Sequence, residues 1–278
     1  MTQGSRSTLQ QLLAERFSDA PHATDQDQPV LEGMVNRGSC RSFRDQPVSV
    51  DLLETLSAVA LAAPSKSDLQ QRDIILMTSP AKRQELTALM SGQAWIAQAP
   101  MIVVFCGNNR RQRLLHQWHD VPFANDHLDA FFNASVDAAI ALGAFVTAAE
   151  AVGLGCCPIS AIRNEAAAVS NLLALPDHVF PVAGLAIGYP AQPTVISKRL
   201  ALGVTVHHDH YSEDSLKDAV LTYDKDRAAA QPYQTQRFTA TFGKSQTYDW
   251  STDKVRQYSQ PERSKFGDFV RAKGFRLD

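Results

Sequence analysis

PMIVVFC, residues 100–106, is an unbroken apolar run of strand length, and it reads as a strand buried on both faces. Its neighbours decide the class. Upstream, DIILMT (73–78) is a second short apolar run, and Ser79-Pro80 then supply an N-cap and a first-turn proline for a helix to about Met90. Further back, Leu52, Leu53, Leu56, Val59, Ala60 and Ala63 recur at helical spacing between a capping Ser49 and a terminating Pro64. Downstream, 107–127 is charged and aperiodic and reads as a long loop. Residues 128–152 are Ala-rich with bulky residues on several faces (Phe131, Phe132, Val136, Ile140, Phe145, Val146), which predicts a long helix enclosed nearly all round and ended by Gly153. A short strand at 155–159, a helix from Asn164 to about Ala174 and a last core strand at PVAGLAIG (181–188) complete the series. Helices alternating with strands in this way are expected on both faces of a central sheet.

The chain of 278 residues, 44% hydrophobic and 20% charged, has the composition of a folded globular protein. It reads as a single domain over 1–278, with a core at about 30–205. A short helix at 8–17 is joined to it by a polar linker at 19–29, and an extension at about 206–278 is poorer in apolar periodicity. Lys+Arg 27 against Asp+Glu 29 leaves a net charge of −2, with no general attraction to nucleic acid or to an anionic membrane. The first thirty residues lack the apolar centre of a signal peptide, so the expected location is cytoplasmic. Cys40, Cys106, Cys156 and Cys157 show no zinc spacing and read as reduced, packed thiols.

Among motifs, Gly153-Leu-Gly155 lacks the third glycine of a dinucleotide loop, and neither a phosphate loop nor a serine-hydrolase elbow occurs. His116, His119 and His127, or His207, His208 and His210, could surround a metal; solvated loop histidines are the alternative, and the expectation is no metal. In RGSCRSF (37–43), Arg37, Ser39 and Arg41 lie at i, i+2 and i+4, so an extended segment turns two guanidiniums and a hydroxyl the same way, which suits a phosphate dianion. A solvated basic surface is the alternative. The polar loop Pro64–Gln70 offers hydroxyl, carboxylate and amide groups to a heterocycle edge, or is a capping turn. Small residues at Ser160 and Ala161 permit close approach of a flat ring, or tight packing. Lys198-Arg199 form a second basic pair.

These four segments, in this order, resemble the FMN-dependent nitroreductase family, in its branch of oxygen-insensitive NADPH nitroreductases and flavin reductases, over about residues 8 to 226. The resemblance implies a nitroreductase-like α+β fold, a three-layer α/β/α sandwich whose central mixed, largely antiparallel sheet is flanked by helices and followed by a C-terminal extension. It implies an FMN-holding segment at Arg37, Gly38, Ser39, Arg41 and Phe43, pyrimidine contacts from Ser65, Ser67, Asp68 and Gln70, backbone approach to flavin N5 at Ile159, Ser160 and Ala161, and phosphate contacts from Lys198 and Arg199. Arg41 is the flavin-tuning residue, and no side chain acts as acid, base or nucleophile, because the hydride chemistry belongs to the cofactor. Ser160-Ala161 depart from a frequent Gly-Gly, and Gln71-Arg72 from a frequent Pro-Trp. The implied activity takes hydride from NADPH, or NADH, and reduces nitroaromatics, quinones or flavins by a ping-pong mechanism, in a homodimer with FMN at the subunit interface. Arg237 is the candidate for the NADPH 2′-phosphate. The rival readings are a non-catalytic flavin-binding protein on the same fold and an atypical NAD(P) dehydrogenase.

Overall fold

The structure, a computed structural model, describes residues 8–23, 29–90 and 92–278; residues 24–28 of the expected linker lie outside it. The described chain divides into two compact units: the N-terminal stretch to Gly38 with Val195–Glu262, and Ser39–Thr194 with Arg263–Asp278.

The second unit is built on a four-stranded sheet of β1 (Arg72–Leu76), β2 (Met101–Asn108), β3 (Gly155–Ile159) and β4 (Val179–Gly188), in the order β1-β2-β4-β3. All three ladders are antiparallel, so the largely antiparallel expectation holds and no parallel pair adds to it among the described residues. Strand β2 is buried along its whole length. Its residues alternate between two cores, as a two-residue period demands. Met101, Val103 and Phe105 join Leu53, Leu56 and Phe145 from α3 (Val50–Leu61) and α6 (Leu128–Ala151). Ile102, Val104 and Cys106 join Leu86 and Val169 from α4 (Pro80–Leu89) and α7 (Ala166–Leu172) on the other face. That is a three-layer sandwich.

The local signals explain the ends. Ser49 Oγ accepts from Leu52 N at 3.3 Å and Ser79 Oγ from Lys82 N at 3.4 Å, each capping its helix. After α6, Gly153 takes φ +84 and its N–H reaches Glu150 O, closing the helix as a left-handed glycine does. The four cysteines are buried, and burial with the nearby Asp73 charge pushes the Cys106 thiol up to about 12.

Four expectations need correction. Residues 107–127 are not all loop, since Arg110–Trp118 form a helix, α5. Its only aliphatic residues are the adjacent Leu114 and Leu115, so no apolar period announces it; polar contacts to neighbouring loops hold it instead. Helix α6 buries one face only, through Ala134, Asp137, Ala138, Ala141 and Phe145, and leaves Leu128, Phe132, Val136 and Ile140 exposed. Asn164 does not cap a helix; it follows the 3-10 turn Ser160–Arg163, and α7 starts at Ala166. The end of the tail is core: α12 (Phe266–Ala272) sets Val270, with Phe275 behind it, against Phe180, Ala130 and Ala134.

The first unit is helical: α1 (Leu9–Arg16), α2 (Pro29–Val35), α8 (Leu202–Thr205), α9 (Leu216–Ala230), α10 (Thr239–Phe242) and α11 (Trp250–Tyr258). Thr8 and Gln11 form a capping box at the start of α1.

Candidate functional site

In the sheet unit, the backbone at 39–43 runs extended beside the sheet, with Cys40 N donating to Cys156 O at 3.0 Å and Phe43 bridging Pro190. Cys40 is buried, while Ser39 and Arg41 on either side of it are exposed. At these two positions one hydroxyl and one guanidinium share the outward face, whereas Arg37, the first residue of the expected set, is half-buried. Arg41 lies 5.7 Å over the Trp95 ring, a cation–π contact that limits where its charge swings. Gly155, at the start of β3, lets this segment come close, because a Cβ there would meet Cys40 Cβ at 2.6 Å. At the other end of β3, Ser160 is exposed and Ala161 buried.

The loop at 65–70 holds three non-glycine residues in the left-handed region, Ser67 (φ 50), Asp68 (φ 56) and Gln70 (φ 50). Each costs on the order of 1 kcal/mol, so such a conformation persists only where surrounding groups impose it. Ser65 Oγ accepts from Gln70 N at 2.9 Å, and Gln70 Nε2 donates to Asp68 Oδ1 at 3.1 Å. The four predicted side chains thus stand together at one polar loop, with Ser67, Asp68 and Gln70 exposed.

In the helical unit, the two basic segments meet at a residue that sequence reasoning missed. Arg16, buried at the end of α1, donates from Nε to Val35 O at 3.0 Å, from Nη2 to Arg37 O at 2.5 Å and from Nη1 to Ser197 O at 3.3 Å. Its own carbonyl accepts from Arg199 N at 2.8 Å. One guanidinium, with its forked donors, therefore ties the chain at Arg37 to the chain at 197–199. The available signal was weak: an arginine in the last turn of an amphipathic helix is usually a solvated charge favoured by the helix dipole. Lys198 is half-buried, its carbonyl accepting from Tyr223 Oη at 3.1 Å, and Arg199 Nη1 donates to Ser197 Oγ at 2.7 Å.

Arg237 is anchored, with Nε 3.1 Å from Asp253 Oδ1 and its N–H donating to Tyr248 Oη. Burial pushes the Asp253 carboxyl up, but hydrogen bonds from Lys254 and Tyr248 and the charges of Lys254 and Arg237 outweigh it and hold it below the usual carboxylate range. Among the described residues no group of three or more His, Cys, Asp or Glu is placed to hold a metal. His116 Nδ1 lies 3.1 Å from Pro122 O, His127 caps α6, and His207 packs on Tyr211.

Comparison with known proteins shows the family. Residues 34–189 match the model of the nitroreductase family, and 197–278 that of the nitroreductase family, C-terminal domain. The chain belongs to the nitroreductase family. The match continues to Asp278, past residue 226 where the resemblance in sequence motifs fades. The FMN reductase [NAD(P)H] of Bacillus subtilis (strain 168) is 31% identical over 252 residues, covering 90% of this chain and 98% of that protein. The oxygen-insensitive NADPH nitroreductase of Salmonella typhimurium is 32% identical over 239 residues, 86% of this chain and 94% of its own. The solved NfrA1 nitroreductase from B. subtilis superposes with a TM-score of 0.80 at 32% identity, covering 88% and 98% of the two chains.

Proposed function

We propose that the protein is an FMN-dependent oxidoreductase that takes hydride from NAD(P)H, with NADPH preferred, and reduces nitroaromatics, quinones or flavins by a ping-pong mechanism. The observation that carries this reading is the Arg16 junction, which holds the backbone of Arg37 beside that of Ser197–Arg199 and so brings together two basic segments of the kind a phosphate dianion needs. Its relatives' names, FMN reductase and NADPH nitroreductase, point the same way. Within each unit the donor types suit FMN: in the helical unit the cations of Arg37, Lys198 and Arg199 and the Gly38 backbone suit its phosphate, and in the sheet unit Ser39 and Arg41 suit the phosphate, the polar loop at Ser65, Ser67, Asp68 and Gln70 the pyrimidine edge, and the small residues Ser160 and Ala161 after Ile159 the ring. When bound, FMN supplies the hydride chemistry. The chain orients it, and the Arg41 guanidinium favours negative charge on the reduced ring.

The exposed apolar stripe of α6, at Leu128, Phe132, Val136 and Ile140, supports a homodimer with FMN at the subunit interface. Membership of the nitroreductase family supports a cytoplasmic location.

Purified protein is expected to be yellow, with flavin absorbance released on denaturation, and to oxidise NADPH when a nitroaromatic, a quinone or free flavin is added. Double-reciprocal plots at several acceptor concentrations are expected to be parallel. A colourless preparation that cannot be reconstituted with FMN removes the proposal, and bound FMN without NAD(P)H turnover favours the non-catalytic rival.

Coenzyme choice has its own test. NADPH differs from NADH by a 2′-phosphate, for which Arg237, with its side chain 46% exposed, is the candidate cation. Arg237→Ala is expected to raise KM for NADPH about tenfold and to leave KM for NADH nearly unchanged, with the salt dependence of NADPH use also reduced. Equal effects on both coenzymes would show that Arg237 only braces Tyr248 and Asp253.

A further inference from the structure

The segment PSKSDLQQ (64–71) contains no glycine, yet Ser67, Asp68 and Gln70 all adopt the left-handed conformation. Besides the bonds that Ser65 and Asp68 accept from Gln70, groups from outside the loop impose it. Asp137, fully buried on α6, accepts from Lys66 N at Oδ1 (3.1 Å) and from Gln71 N at Oδ2 (2.8 Å), so a single carboxylate holds both ends of the turn. Arg72 follows the loop with its side chain 4% exposed, and its Nη1 lies 3.7 Å from Asp137 Oδ2. Arg72 Nη2 donates to Leu61 O and Ala63 O, which ties the pair to the end of α3. Two donors from α5 take the carbonyls on the other side: Arg111 Nη1 reaches Gln70 O at 2.6 Å and Gln112 Nε2 reaches Leu69 O at 2.7 Å. The loop is clamped from within by Asp137 and from without by α5.

We propose that Asp137 and Arg111 are positioning residues for the flavin: they hold the 65–70 loop in the left-handed form that turns Ser65, Ser67, Asp68 and Gln70 toward the pyrimidine edge. This rests on the FMN reading given above. Neither residue touches the reacting atoms; each acts by fixing backbone whose side chains do. A buried carboxylate suits the inner role because its two oxygens accept two N–H groups at once, whereas an amide offers one oxygen and turns its NH2 against the second donor. The Arg111 guanidinium suits the outer role because its fork spans Gln70 O and Asp73 Oδ1, the latter at 2.7 Å.

The test compares Asp137→Asn and Arg111→Ala with the wild-type holoenzyme. Asp137→Asn is expected to raise the FMN dissociation constant about tenfold to a hundredfold and to shift the visible bands of the flavin that remains, a change that loss of stability alone does not produce. Arg111→Ala, at a side chain 41% exposed, is expected to raise the constant severalfold with the same spectral shift and little change in melting temperature. In flavin-free protein, exchange of the Lys66 and Gln71 amide hydrogens is expected to accelerate in Asp137→Asn. Wild-type affinity and spectrum in both variants overturn the proposal. If Asp137→Asn does not fold, Arg111→Ala decides alone. If the wild type itself holds no FMN, the flavin reading fails and with it the ligand assignment, while unchanged amide exchange in Asp137→Asn separately removes the clamp.

Discussion

Arg16→Ala is expected to cost about 3–5 kcal/mol of stability and to raise the FMN dissociation constant about a hundredfold, although Arg16 is not itself assigned to the cofactor. The side chain is only 6% exposed and donates to the carbonyls of Val35, Arg37 and Ser197. Its removal strands those part-buried acceptors, and hydrogen bonds to a charged group are worth about 1.5–3 kcal/mol each before non-additivity. The backbone at Arg37 and at 197–199 then loses its common tie. The proposed phosphate grip, assembled from two segments, loses the preorganisation that makes its charges act together. Thermal melting with and without FMN, alongside fluorescence titration of released flavin, reads both effects. Arg16→Lys keeps the charge but not the fork, and is expected to recover less than half of the lost stability. Wild-type flavin affinity in Arg16→Ala would show that the two basic segments do not share a ligand.

Gly155→Ala is expected to cost about 1–3 kcal/mol or more, with a parallel loss of flavin. The added methyl would sit 2.6 Å from Cys40 Cβ, 2.7 Å from Cys40 Sγ and 2.9 Å from Pro190 Cγ, and none of these is the far end of a flexible side chain. Relief requires the 39–43 segment to move away from β3. That breaks the Cys40 N to Cys156 O bond and displaces Ser39 and Arg41 together. Differential scanning calorimetry and the FMN content of the purified variant check the prediction. If Gly155→Ala melts and binds flavin as the wild type does, the close approach of segment 39–43 to β3 has no part in the site.

The helices and strands with strong local signals were legible. Ser49, Ser79 and Gly153 act as the caps and stop that their residue types promise, and the apolar runs at 73–78, 100–106 and 181–188 mark the strands Arg72–Leu76, Met101–Asn108 and Val179–Gly188. The exposed alternation at Ser39 and Arg41 was legible too, because side-chain direction in extended backbone follows from spacing alone. Helix α5 was not. Its stability comes from polar bonds to Leu69, Gln70 and Asp73, residues forty positions earlier, and such bonds leave no periodic trace. Asp137 left a trace that is easier to read in retrospect, as the only charged residue between Asp129 and Glu150 in an otherwise apolar helix. A lone acid in such a setting must find donors, but the sequence does not say that they are the Lys66 and Gln71 amides.

By itself, then, the chain determined its layers, its caps and the residue types offered to a flavin, because these depend on hydrophobic period and on groups a few residues apart. Tertiary structure alone decided which backbone Arg16 and Asp137 hold, which face of α6 stays uncovered, and that the last residues from Arg263 belong to the sheet unit. Those outcomes depend on contacts between segments far apart in the chain, and no local pattern encodes a hydrogen bond whose partner lies a hundred residues away.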